Sequence, residues 1–272
     1  MKTGKGALAT AYLDGVTRRL ASIGKKGAPG IVEAASWCAE ALAGDHFVWV
    51  FGAGHSSMMA MEAYPRIGGV QGFMPMIEPG LLLFTNVVGS MGLEQTLVLE
   101  RVEGYGRAIH NSYATEKGDV LIIFSSSGLE ALPLEIATVA RERGIRTVAV
   151  SSDEYSREAA KQRGKKVRLA EIADLFIDNA VPAGDASVDL AKSGAKVSPV
   201  GSILNLAIMN CIAAETAGAL LARGIKPRLF RSPHLGGTAA NEFSALLADY
   251  RRMIGQRWLR QTKTRKARRH AT

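Results

Sequence analysis

Apolar positions recur at helical spacing over residues 7–22 and again over 30–43, with "GKKGAPG" between them breaking the pattern through its Gly and Pro residues. Two helices are therefore predicted ahead of the first strand. "HFVWVFGAG" (46–54) is a short, nearly continuous apolar run rich in β-branched and aromatic residues, ending in glycines, as a buried strand does. A helix is predicted over 56–66, starting at Ser56 or Ser57. A second strand is expected within 73–84, although two prolines interrupt it. Residues 89–114 are polar and partly helical in pattern.

From residue 118 the rhythm is regular. "DVLIIFSSSG" reads as a strand running into a loop, "LEALPLEIATVARERG" as a helix ending at Gly144, and "IRTVAVSS" as a strand. "EYSREAAKQRG" is a short helix, "ADLFIDNAV" a strand, and "VGSILNLAIMNCIAAETAGALLARG" a long apolar helix. Strands alternating with helices predict a three-layer α/β sandwich around a parallel sheet. Ligands in such sheets bind beyond the carboxyl ends of the strands.

Both Gly/Ser-rich stretches fall at such ends. In "GAGHSS" (52–57) the small residues let the backbone approach a ligand, and the following helix offers free N–H groups to an anion. Ser125, Ser126, Ser127 and Gly128 repeat the arrangement on a second strand, with hydroxyls suited to the three oxygens of a phosphate. Helix capping alone is the plain alternative for either loop. A dinucleotide fold is disfavoured, because Ser57 stands where the third glycine of G-x-G-x-x-G belongs. A serine-hydrolase elbow is also disfavoured, Phe124 occupying its first glycine position.

Composition changes this picture little. The 272 residues are 47% hydrophobic, enough for one large domain. The net charge of +9 invites a nucleic-acid reading, but residues 251–272 hold nine Lys and Arg and no carboxylate, which leaves 25 basic and 25 acidic residues before them. The excess belongs to a tail, expected to be solvated and partly frayed, so nucleic-acid binding is not expected of the body. Cys38 and Cys211 both lie in apolar helical patterns and are expected as buried free thiols in a reducing, cytoplasmic setting. No export signal, membrane span, metal-ligand spacing or cofactor motif is read from the chain. The expected organisation is N-terminal helices over 1–45, an α/β domain over 46–250 and a basic tail over 251–272.

Taken together, "FGAGHS", "LERVEGYG" (99–106), "GDVLIIFSSSG" (118–128), "ADLFIDNAVPAGDA" (173–186) and "SPVGSILNLAIMNCIAAE" (198–215) resemble the SIS (sugar isomerase) domain, and within it a bacterial family known as phosphosugar-binding proteins or phosphosugar isomerases. The resemblance covers roughly residues 5–255. It implies a flavodoxin-like αβα sandwich that binds a phosphorylated sugar, as a homodimer or higher homo-oligomer with the site near the subunit interface. It also implies that Ser125, Ser126, Ser127 and Gly128 hold the phosphate while Gly52, Gly54, Ser56 and Ser57 lie along the sugar. In the related heptose phosphate isomerases the seryl loop continues "SGNS"; here it reads "SGLE", placing the carboxylate of Glu130 where a small hydroxyl would be.

Aldose–ketose isomerisation needs a base for the proton α to the carbonyl and an acid for the enediol oxygens. Glu62, two turns into the helix after the first loop, is a candidate base or hydroxyl ligand against the plain reading of an ion pair. His55, inside that loop, is a candidate ligand contact or a loop-shaping hydrogen bond. Glu215, isolated in an apolar helix, is expected to be paired, protonated or catalytic. Glu100, Arg101 and Glu103 are a solvated helix face or a segment reaching a neighbouring subunit's site. Asp185, in "PAGDA", is a candidate contact to a sugar hydroxyl. A non-catalytic phosphosugar sensor and a sugar-phosphate lyase or etherase are the rival functions on the same fold.

Overall fold

The computed structural model describes residues 6–82, 92–190, 193–235 and 238–269. Five parallel strands form its centre: β1 (Val48–Gly52), β2 (Phe73–Met76), β3 (Val120–Phe124), β4 (Arg146–Ser151) and β5 (Leu175–Asp178), in spatial order β2-β1-β3-β4-β5. This is the flavodoxin-like order, in which the chain reverses direction of winding between β1 and β3 and leaves a crevice at their carboxyl ends. β2 is an edge strand, which is how it tolerates Pro75 in its middle. The part of the expected 73–84 strand beyond residue 82 lies outside the described residues, as do residues 89–91 of the expected polar segment.

Strand residues alternate between two buried layers, as a period of two requires. Val48 and Val50 of β1, Val120 and Ile122 of β3 and Val148 of β4 face α1 (Ala7–Ser22), α2 (Ala28–Ala43), α3 (Ser57–Glu62) and α9 (Gly201–Ala222). Trp49 and Phe51, Leu121 and Ile123, and Ala149 face α5 (Tyr105–Ser112), α6 (Ala131–Glu142) and α10 (Ala239–Arg269). The remaining helices are α4 (Gly92–Leu99), α7 (Asp153–Arg163) and the single turn α8 (Leu169–Ile172). A small antiparallel hairpin, β6 (Ala186–Asp189) with β7 (Lys196–Pro199), leads into α9 and was not foreseen from the sequence. Its pattern is too short to separate from loop.

Three sequence expectations need correction. α3 stops at Glu62 and not at residue 66, because a proline at 65 biases the residue before it away from helix. Cys211 is exposed, and only Cys38 is buried, where burial pushes its thiol up to about 12. Residues 251–262 belong to the body of the molecule, since α10 continues to Arg269 and docks Arg257 almost completely inside. The side chains of Lys263, Arg265, Lys266, Arg268 and Arg269 lie outside the described residues. Among the described residues one helix, Gly201–Ala222, is long and apolar enough to cross a membrane by composition; here it packs most heavily against α2.

Arg257 meets Asp119, itself fully buried, with Nη1 2.9 Å from Oδ2 and 3.0 Å from Oδ1, and its guanidinium lies 4.4 Å above the Phe47 ring. Asp119 also accepts from the Phe47 amide (2.9 Å), the Trp49 indole (2.9 Å) and the Glu116 amide (2.9 Å). Removing one partner of a buried pair strands the other charge, which costs about 3–5 kcal/mol. Arg257→Ala is therefore expected to lose about that much in urea unfolding, while Arg260→Ala, an exposed neighbour on the same helix, stays within about 1 kcal/mol. A loss below 1 kcal/mol for Arg257→Ala would show that the C-terminal helix does not hold the sheet.

Candidate functional site

The parallel pairing of β1 with β3 sets Gly52 opposite Phe124, so the chain leaves both strands at the same height on the same edge. After β1 the backbone turns sharply: Gly54 takes a φ of +55°, one 3₁₀ turn spans Gly54–Ser56, and α3 begins. Any side chain at Gly52 would place its Cβ 2.1 Å from the Ser56 carbonyl oxygen, so glycine is required by the turn itself. Ser57 is buried and donates to the Gly54 carbonyl (2.7 Å), which makes it a loop brace. Ser56 faces the crevice.

The second loop is fastened to the neighbouring strand. The Ser125 amide donates to Val150 (3.1 Å), the Ser152 amide to the Ser126 carbonyl (3.1 Å) and the Leu169 amide to the Gly128 carbonyl (2.8 Å). Ser125 Oγ accepts from the Gly128 amide at 3.2 Å, and Gly128 holds a φ of +60° that suits glycine. Ser126 and Ser127 are left with amides and hydroxyls that have no partner among the described residues. Free donors at the start of α6 are what an anion needs.

Ser56, Ser125, Ser126 and Ser127 line one cleft, with Phe51 and Phe124 at its floor. Two carboxylates, Glu100 and Glu130, and Tyr155 complete its walls. Glu100 follows α4, and its carbonyl accepts from the Leu132 amide (3.1 Å). Its side chain comes beside Gly54, where an added Cβ would lie 3.7 Å from Oε1. It makes no hydrogen bond or ion pair among the described residues. Burial, and next the charge of Glu130, push its carboxyl up to about 7, with Arg101 opposing. Glu130 is instead bound by both Nη atoms of Arg163, at 2.5 and 3.1 Å, with Arg101 Nε 3.7 Å away.

The structure does not bring the three sequence-nominated catalytic residues into this cleft. Glu62 is held by Arg66 (2.6 Å) and Asn210 (3.0 Å) beside a separate groove between α3 and α9. His55 is exposed on its loop and lines no part of the cleft. Glu215 is exposed on the outer side of α9, so the dry environment expected from its apolar neighbours is absent. Asp185 accepts from the Gly201 (2.7 Å) and Val200 (3.0 Å) amides, capping the start of α9 in place of a sugar. Glu100 and Tyr155 were not nominated for this chain's own cleft. The signal for Glu100 was "LERVEGYG", a carboxylate next to a glycine-rich stretch, but its address depends on how residues 92–112 fold back over α6. Among the described residues no group of three or more metal-ligating side chains comes together.

The chain belongs to the SIS domain family, whose model matches residues 11–152. Within that family it is 36% identical over 227 residues, 84% of this chain and 90% of the relative, to a UPF0309 protein of Brucella canis, and equally to one of Brucella abortus strain S19. Among solved structures, a phosphoheptose isomerase from Neisseria gonorrhoeae is 17% identical with a TM-score of 0.46, covering 75% of this chain and 97% of its own. The sugar isomerase domain of an RpiR transcription factor from Sphaerobacter thermophilus is 18% identical with a TM-score of 0.44, covering 91% and 99%.

A carboxylic acid whose folded-state pKa lies above its unfolded value takes up protons on folding, so its contribution to stability is lost as pH rises from about 4.5 to about 7. Glu100→Gln removes that loss. The variant is expected to be more stable than the parent by roughly 2 kcal/mol at pH 8 and by much less at pH 5, measured by urea unfolding at both values. An identical difference at both pH values would show that Glu100 titrates normally.

Proposed function

We propose that this SIS-domain protein binds a phosphorylated sugar in the Ser56–Ser127 cleft and isomerises it between aldose and ketose, with Glu100 moving the proton. The observation that carries the reading is the coincidence in one cleft of a seryl loop with free donors and a half-buried carboxyl with no partner. Phosphate oxygens take the amides and hydroxyls of Ser126 and Ser127, with Ser125 and Gly128 fixing the loop. The sugar then extends between Ser56 and Glu100. Ionised Glu100 removes the proton from the carbon next to the carbonyl, the electron pair moves to form the enediol, and the carboxyl, which can trade that proton with solvent while the enediol lasts, returns a proton to the former carbonyl carbon. The matching oxygen proton is exchanged at a hydroxyl on the cleft wall, for which Ser56 is placed. A carboxyl poised near neutral pH suits both halves of that transfer.

A homo-oligomer is part of the same proposal. The outer side of α9 leaves Ile203, Cys211 and Leu221 exposed, an apolar face for a second copy to cover. Sedimentation equilibrium checks it: a monomer at micromolar concentration removes this part of the reading.

Sugar phosphates, each paired with its free sugar, are to be screened by thermal shift. Phosphorylated ligands alone are expected to raise the midpoint, and Ser126→Ala to lose most of the shift. Glu100→Gln is expected to keep the shift but to lose exchange of the sugar's carbon-bound proton with deuterated solvent by about 100-fold or more. Equal shifts from free sugars would reduce the serines to helix caps. Binding with no proton exchange in the parent protein would favour a sensor over an enzyme.

A further inference from the structure

The cleft that offers an anion site is lined, among the described residues, by two carboxylates and by no Lys or Arg. A phosphoryl group on Ser126 and Ser127 would meet Glu130 three residues along the same loop, at the position that begins α6. The cations that would offset this repulsion are close but already engaged. Arg163, on α7, holds Glu130 with both Nη atoms, and Arg101 approaches the same carboxylate from the end of α4. Arg163 is thus tied to the cleft through Glu130, which is itself one of the lining residues. A carboxylate holding two guanidiniums offers them what a phosphate would, a pair of anionic oxygens that a guanidinium can bridge with two N–H groups.

We propose that Glu130 is a built-in competitor for the phosphoryl group: in the empty cleft it holds Arg163 and Arg101, and an arriving phosphorylated ligand takes those guanidiniums over. This rests on the phosphosugar reading of the cleft. The long side chains make the exchange a matter of rotamers, since Arg101 is largely exposed and Arg163 about one-third exposed. Glu130 then sets how much negative charge a ligand must carry to enter. A free sugar cannot release the arginines, whereas a phosphomonoester can.

The test is calorimetric titration of the full chain with inorganic phosphate at fixed ionic strength and pH, comparing the parent with Glu130→Gln, Glu130→Gln/Arg163→Gln and Ser126→Ala. Circular dichroism confirms folding, and Glu130→Ala replaces Glu130→Gln if the latter does not fold. Glu130→Gln is expected to bind phosphate about tenfold tighter or more, because a like charge is gone and Arg163 is released. The double variant is expected to lose that gain, because the released guanidinium is what the phosphate would use. Glu130→Gln binding no tighter than the parent, while Ser126→Ala still abolishes binding, overturns the competitor and leaves the phosphosugar reading standing. A double variant that keeps the whole gain also overturns it, since Arg163 would then have no part in binding. Phosphate binding by none of the proteins overturns both.

Discussion

Asp119 fixes the relation between the two strands on which the cleft depends. Its buried carboxylate takes the amide that opens β1, the indole of Trp49 inside β1 and the Glu116 amide at the entrance to β3. The Val120 amide returns to the Phe47 carbonyl, so β1 and β3 are locked in register at their amino ends. Such a carboxylate is tolerable away from water only because it is fully bonded and balanced by a cation. That cation, Arg257, comes from the far end of the chain. Five residues further up the sheet the same register delivers Gly52 opposite Phe124, and the two ligand-facing loops leave together. A slip of one residue would turn every strand side chain to the other layer and separate the loops.

Much of the cleft was readable along the chain, because the features that carry it are local. A strand running into small residues and then a helix is a contiguous pattern, and two of them on parallel strands place a site at the carboxyl edge. The seryl loop needed no distant partner to be recognised. Glu100 did, since the segment bearing it is held down from α6: Glu135 accepts the amides of Gly104 (2.6 Å) and Gly106 (2.9 Å), and Leu132 donates to the Glu100 carbonyl. Nothing in residues 92–112 alone says which surface they cover. Arg257 was hidden for the opposite reason, being one arginine in a basic run whose charge pattern reads as solvated throughout.

Glu215 shows how an apolar helix can mislead. α9 has few polar residues on any side, and its buried positions, among them Leu204, Ile208 and Ile212, meet α1, α2 and α3. Periodicity could not distinguish the inner face from the outer, so a lone carboxylate looked buried when it stands on the exposed side. Glu62 failed as a cleft residue on different grounds. Its spacing from Ser56 is right for the ligand-facing end of α3, but Arg66 one turn on and Asn210 on α9 claim its oxygens.

These placements move the ionisable chemistry from the α3–α9 side of the sheet to the α6–α7 side. There the fold has divided two carboxylates that share one cleft. Glu130 is engaged by Arg163 and Arg101, whereas Glu100 has burial, a neighbouring negative charge and only the opposing influence of Arg101. A carboxyl raised toward neutral pH in this way is what the proposed proton transfer asks of Glu100. Both carboxylates are placed by way of α6. Glu100 is carried by contacts to α6, and Glu130 begins α6 itself, so the helix that follows the seryl loop also positions the two acids relative to each other.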